Sequence, residues 1–135
     1  MQVLITLILI LFPSENQIKI NDPWIRPSSE NMATALYFTI ENSGSNADTL
    51  IKVESDIASK VEIHETYSEG DMMGMRQTDF IIVEGKSSFE LKPGGHHVML
   101  MKLKKDINAG DKESFILLFK QAGEIKITAT AKKPN

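Results

Sequence analysis

The 135-residue sequence contains no cysteine. A chain without thiols forms no disulfide, offers no thiolate nucleophile and lends no thiolate to a soft metal. It also lacks a strong excess of charge of either sign, with a net charge of -3 and a pI near 5.6. The basic residues are scattered. The densest group, Lys102, Lys104 and Lys105, has no aromatic platform beside it on which bases could stack, so it reads as a solvated strand end and no nucleic-acid partner is expected. A long hydrophobic run is missing as well. The longest apolar stretch, Val3 to Phe12, falls well short of the ~20 residues a helix needs to cross a bilayer, so no stable membrane insertion is expected. No Ser-His-Asp set, paired carboxylates or phosphate loop stands out, which leaves an enzyme as the least favoured class.

What the sequence does hold begins with that apolar stretch. VLITLILILF followed by Pro13 and polar Ser14-Glu15-Asn16 has the make-up of a secretory h-region, although no Lys or Arg precedes it and no A-x-A-type cleavage site follows. The expectation is a signal peptide over 1–16 and one domain over 17–135, a length that suits a single core. Within that domain, short alternating segments are separated by turn residues: Asn42 to Asp48, Glu84-Gly85-Lys86, Pro93-Gly94-Gly95, Asn108 to Asp111 and Gln121-Ala122-Gly123. Nine strands are expected, at Ile18–Ile20, Ala35–Glu41, Leu50–Glu54, Lys60–Glu65, Met75–Val83, Ser88–Leu91, His97–Leu103, Ser114–Phe119 and Glu124–Ala131. Nine short strands about ten residues apart indicate an all-β, two-sheet antiparallel sandwich; Greek-key connections are expected, though spacing alone does not derive them. Leu36, Phe38 and Ile40, and Ile125, Ile127 and Ala129, are the core faces of two of these strands.

The methionines and histidines are unevenly placed. Five of seven methionines fall in two groups, Met72-Met73-Met75 and Met99-Met101, and all three histidines, His64, His96 and His97, lie beside them. Side chains two apart on a strand share a face. His97 and Met99 therefore project together, and Met101 after them, while His96, Val98 and Leu100 point the other way. Val61 and Ile63 turn towards the core, which sends His64 to the opposite face. Gly70 and Gly74 allow the intervening segment to fold Met75 back towards His64 as a hairpin-like arm. Two imidazoles with two thioethers suit Cu(I), a soft ion; hard cations want oxygen, and zinc seldom takes thioether. A blue-copper electron-transfer centre needs a Cys thiolate and is excluded. The primary candidates are thus His64, Met75, His97 and Met99. Met72, Met73 and His96 rank second as donors, and Met101 reads as packing.

The spacing itself is specific. His64, ten residues, Met75, twenty-one residues, His97, one residue and Met99 resembles the His-x10-Met-x21-His-x-Met signature of the periplasmic copper chaperone family called PCuAC. The likeness continues in VEIHE, in MRQ after Met75, in LKPGGHHVMLM, DPWIRPS, TALYFTIENSG and ADTL, and covers roughly Ile18 to Lys132. His96 stands where the family commonly has an aromatic residue. The resemblance implies a cupredoxin-like, Ig-like β-sandwich, exported to the periplasm, that binds Cu(I) through the four signature residues near the surface. It further implies delivery of copper towards the CuA centre of cytochrome c oxidase, directly or with a Sco-type thiol protein; a monomer is expected. Two other readings compete: a periplasmic copper buffer or resistance protein, and an Ig-like adhesion or assembly module with incidental His and Met residues.

Overall fold

The computed structural model describes residues 17–134 and Val3. The expected signal peptide therefore lies outside the described residues except at that one position. The alternating segments form ten strands: β1 (Ile18–Ile25), β2 (Thr34–Asn42), β3 (Asp48–Glu54), β4 (Ala58–Glu69), β5 (Met72–Gln77), β6 (Ile81–Val83), β7 (Ser87–Glu90), β8 (His96–Leu103), β9 (Lys112–Phe119) and β10 (Gly123–Ala131). No helix occurs among the described residues.

The tenth strand arises because the expected Met75–Val83 strand is two. It breaks at Thr78–Phe80, after which Ile81 and Val83 turn into the core and pair with β3 instead of β4. The hydrogen-bonded order is β5-β4-β8-β2-β1-β10-β9-β3-β6, with β7 added to the far half of β2. One pairing departs from the antiparallel rule: β1 runs parallel to β10 through Trp24↔Thr130 and Ile25↔Ala131. β1 reaches it through an irregularity between Asn21 and Trp24, where Asp22 has a φ of 51°.

One apolar cluster joins both ends of this ladder. Leu36, Phe38, Val98 and Leu100 belong to it with Leu50, Phe115, Leu117 and Phe119, and β3 packs on β4 without pairing to it. The sheet thus folds over on itself into two layers about one core, which is how a one-faced sheet buries its apolar side. Leu36, Phe38 and Ile40 are fully buried as expected, whereas Ile125 and Ile127 are only partly covered and Ala129 is buried. Asp48 ties the two-layer edge together. Its carboxylate accepts backbone N–H bonds from Thr49, Gln121 and Ala122 at 2.8, 2.8 and 2.9 Å.

The outer face of β4, β8, β2 and β1 is not simply solvated. Tyr37 lies against Trp24 with ring centroids 4.6 Å apart. The Arg26 guanidinium sits 5.6 Å from the centre of the Tyr37 ring. These long side chains roof the middle of the outer face, and the histidines lie beside them.

Candidate metal centre

The site begins with strand register. β4 and β8 are antiparallel neighbours in which His64 pairs with His97 and Glu62 with Met99. Residues directly opposite on adjacent strands share a face, so all four project outward, away from Ile63 and Val98 on the core side. The two imidazole rings are 5.7 Å apart between centroids. β4 then runs past the domain body as one arm of a hairpin with β5, turned at Gly70-Asp71, where Gly70 has a φ of 61°. On that arm Met75 pairs with Thr66, two residues from His64 on the same face.

His64, His97, Met99 and Met75 therefore occupy one continuous face across three adjacent strands. They differ sharply in depth. His97 is 4% exposed, the His64 side chain 15%, and Met75 55%, so the imidazoles lie inside and the hairpin thioether outside.

Both imidazoles have partners that orient them. The Nε2 of His64 lies 3.4 Å from Oε1 of Glu62, a carboxylate that is itself mostly covered. With the proton on Nε2 facing Glu62, Nδ1 carries a free lone pair, and Nδ1 is buried with no hydrogen-bond partner. A buried polar atom without a partner calls for one. The ring of His97 is hydrogen-bonded to the Gly95 backbone. Burial, first, and then the nearby His64, His96 and Arg26 hold its pKa below the ordinary 6.5, against that backbone bond, which acts the other way. His97 is thus poised to be neutral, the form in which an imidazole donates to a metal. A carboxylate or carbonyl on the far side of each ring is the usual support for metal-binding histidines.

The remaining sequence candidates separate by the same register. Met73 pairs with Ser68 and shares the face of Met75, while Met72 pairs with Glu69 on the reverse face. His96 also faces the reverse side. It lies 3.3 Å from Glu65 and meets the Phe89 ring edge-on at 5.0 Å, so it is tied into a polar knot away from His64 and His97. Met101, read as packing, pairs with Lys60 on the outer face and takes no part in the core cluster.

Gly74, read as a flexible hinge, lies within β5. A Cβ there would stand 2.8 Å from the Tyr67 hydroxyl, so a larger residue would have to push the Tyr67 ring aside. Sequence reasoning missed Glu62, whose place beside His64 two residues along the strand was visible in VEIHE, and Tyr37, for which no signal existed. Among the described residues no group of three or more His, Cys, Asp or Glu is placed to hold a metal. Two imidazoles and two thioethers on one face fit a soft monovalent ion far better than a hard cation.

Comparison with known proteins gives this geometry its context. The profile of the LpqE-like lipoproteins matches residues 18–131. RP573 of Rickettsia prowazekii (strain Madrid E) is 31% identical over 114 residues, which cover 81% of this chain and 63% of RP573; the chain thus spans less than two thirds of that relative. Lxx21020 of Leifsonia xyli subsp. xyli, named as a candidate lipoprotein, is 30% identical over 117 residues, covering 85% of this chain and 69% of its own length. Among solved structures, the copper-bound PCuAC domain from PmoF2 superposes with a TM-score of 0.75 at 31% identity, covering 87% of this chain and 94% of that domain. The folded-over β-sheet is therefore the cupredoxin-like, Ig-like fold of the PCuAC domains.

Proposed function

The chain belongs to the LpqE-like family, and from that membership and its PCuAC-like fold we propose that it carries copper outside the cytoplasm as a chaperone and catalyses no reaction. It holds one Cu(I) through His64, Met75, His97 and Met99. The observation that carries this reading is the His64↔His97 pair on the outer face, with ring centroids 5.7 Å apart and the two methionines on the same face.

Copper is cargo here, so the chain's work is to bind and to let go. Glu62 and the Gly95 carbonyl orient the two rings, each leaving one nitrogen for the ion. The thioethers add soft donors that need no deprotonation at any working pH. Because Met75 is exposed on an arm, an incoming donor has a ligand to displace without opening the core. The acceptor in this proposal is the CuA domain of cytochrome c oxidase or a Sco-type thiol protein. The lipoprotein names of the family and of Lxx21020 support export, with the periplasm as the proposed compartment and a signal peptide over 1–16. The carrier acts as a monomer.

The test is an anaerobic Cu(I) titration of the leader-free chain against a chromogenic chelator, beside a Met75→Ala, Met99→Ala double variant. One tight equivalent in the parent and its loss in the variant are expected. Failure of the parent to compete for Cu(I) sinks the reading.

A further inference from the structure

Among the described residues, Met72, Met73 and Met75 form the densest group of exposed large apolar side chains, at 75%, 76% and 55% exposure on a single six-residue strand. That strand, β5, ends the ladder, and among the described residues nothing pairs with its outer edge. Clustered exposed apolar side chains on an edge mark a place where something docks. Alternation splits the three. Met73 and Met75 lie on the face of His64, and Met72 lies on the reverse face, opposite Glu69. Along the His64 face the donors grade from covered to open: His97 at 4%, Met75 at 55% and Met73 at 76%.

Building on the copper-carrying reading above, we infer that Met73 is the exit donor of the site, a thioether that takes hold of Cu(I) as it leaves. Met73 and Met75 are two residues apart on one strand face, about 7 Å between Cα atoms, so two unbranched side chains can reach one ion between them. In the exchange a bond forms from the Met73 sulfur to Cu(I) while the bond from His64 breaks. Both donors are neutral, so no electron or proton moves, and the ion keeps its coordination number. Copper is then held by Met73 and Met75 on the open edge of β5 together with His97 and Met99, and an acceptor's ligands reach it from that edge.

The experiment compares the parent with Met73→Leu and Met72→Leu, both at exposed positions that tolerate the swap. Chelator competition gives the affinity, and stopped-flow transfer of Cu(I) to excess bicinchoninate gives the rate. Met73→Leu is expected to keep the parent's affinity and to slow transfer by about tenfold, and Met72→Leu to change neither. Equal transfer rates in the parent and Met73→Leu, with copper bound tightly in both, overturn the exit role and leave the carrier reading intact. Equal slowing in both variants overturns it too, in favour of a simple apolar docking edge. A parent that binds no Cu(I) overturns both readings.

Discussion

His97 combines two properties that usually conflict: it is 4% exposed and it is titratable. Burial lowers its pKa from 6.5, so the folded chain resists the proton that the unfolded chain accepts readily. The sign follows from proton counting. Well above pH 6.5 neither state carries the proton and stability is at its plateau; as pH falls towards and below that value the unfolded state binds more protons and the fold loses stability, until pH passes the depressed folded value. Urea midpoints of the copper-free protein are therefore expected to fall between pH 7.5 and 5.5, and the fall is expected to shrink in His97→Gln. An undiminished fall in that variant would assign the slope to other groups. The same depression favours metal binding, because a proton competes poorly for a nitrogen that resists it. Glu62 has a matching role at the neighbouring ring, fixing which nitrogen of His64 is free. VEIHE carried that information in its spacing, but alternation alone assigns a glutamate to solvent, and only the approach of β8 covers it.

The hairpin of β4 and β5 brings one methionine onto the face of two histidines, and its reverse face explains how it stays in place. The Arg76 guanidinium donates to Glu65 and lies 4.9 Å from the centre of the Tyr67 ring, while the other Glu65 oxygen meets His96 at 3.3 Å. Arg76, first among the causes, holds the Glu65 carboxyl below its ordinary pKa of 4.5. The knot joins β5 to β4 and β8 on the side away from Met75, so it sets where the arm lies without touching the face proposed to hold copper. Arg76→Gln is expected to weaken Cu(I) binding by about threefold to tenfold in the parent and to have no further effect in a Met75→Leu background, as coupled neighbours do in a double-mutant cycle. An equal loss in both backgrounds would mean that Arg76 acts on the histidines and not through the arm. Much of this element was legible. Period-two alternation put His64, His97 and Met99 on one face, and the Gly70 turn anticipated the arm. The end of β4 at Glu69 and the break at Thr78–Phe80 were not, because both depend on which strand is the neighbour, and a strand's partner is not written in its own residues. The parallel pairing of β1 with β10 was hidden for the same reason.

Across the whole molecule, the absence of cysteine has a thermodynamic consequence that reaches from sequence to function. A ligand stabilises a fold only by the difference between its affinity for the native and the unfolded chain. Unfolded proteins rich in thiols compete well for Cu(I), since any loose thiolate is a strong soft donor, but this chain has none to offer once it unfolds. In the proposed site its imidazoles and thioethers come to one face only when β4, β5 and β8 are assembled, with sequence separations of His64 from His97 and Met99 that a random coil closes at an entropic cost. Copper should therefore give nearly the full linkage stabilisation, about 2.7 kcal/mol when free Cu(I) stands at 100 times its dissociation constant. For a domain of this size that amounts to a rise of about 10 °C in the melting midpoint. The sole tryptophan, Trp24, stacks on Tyr37, whose ring is 6.3 Å from that of His97, so its fluorescence follows unfolding from beside the site. Anaerobic melts with and without buffered Cu(I), read at Trp24, are expected to show that rise in the parent and to lose most of it in the Met75→Ala, Met99→Ala variant. Equal midpoints with and without copper in a parent that binds Cu(I) would mean that the unfolded chain holds the ion as tightly as the fold does, and the assembled face would then have no part in its affinity.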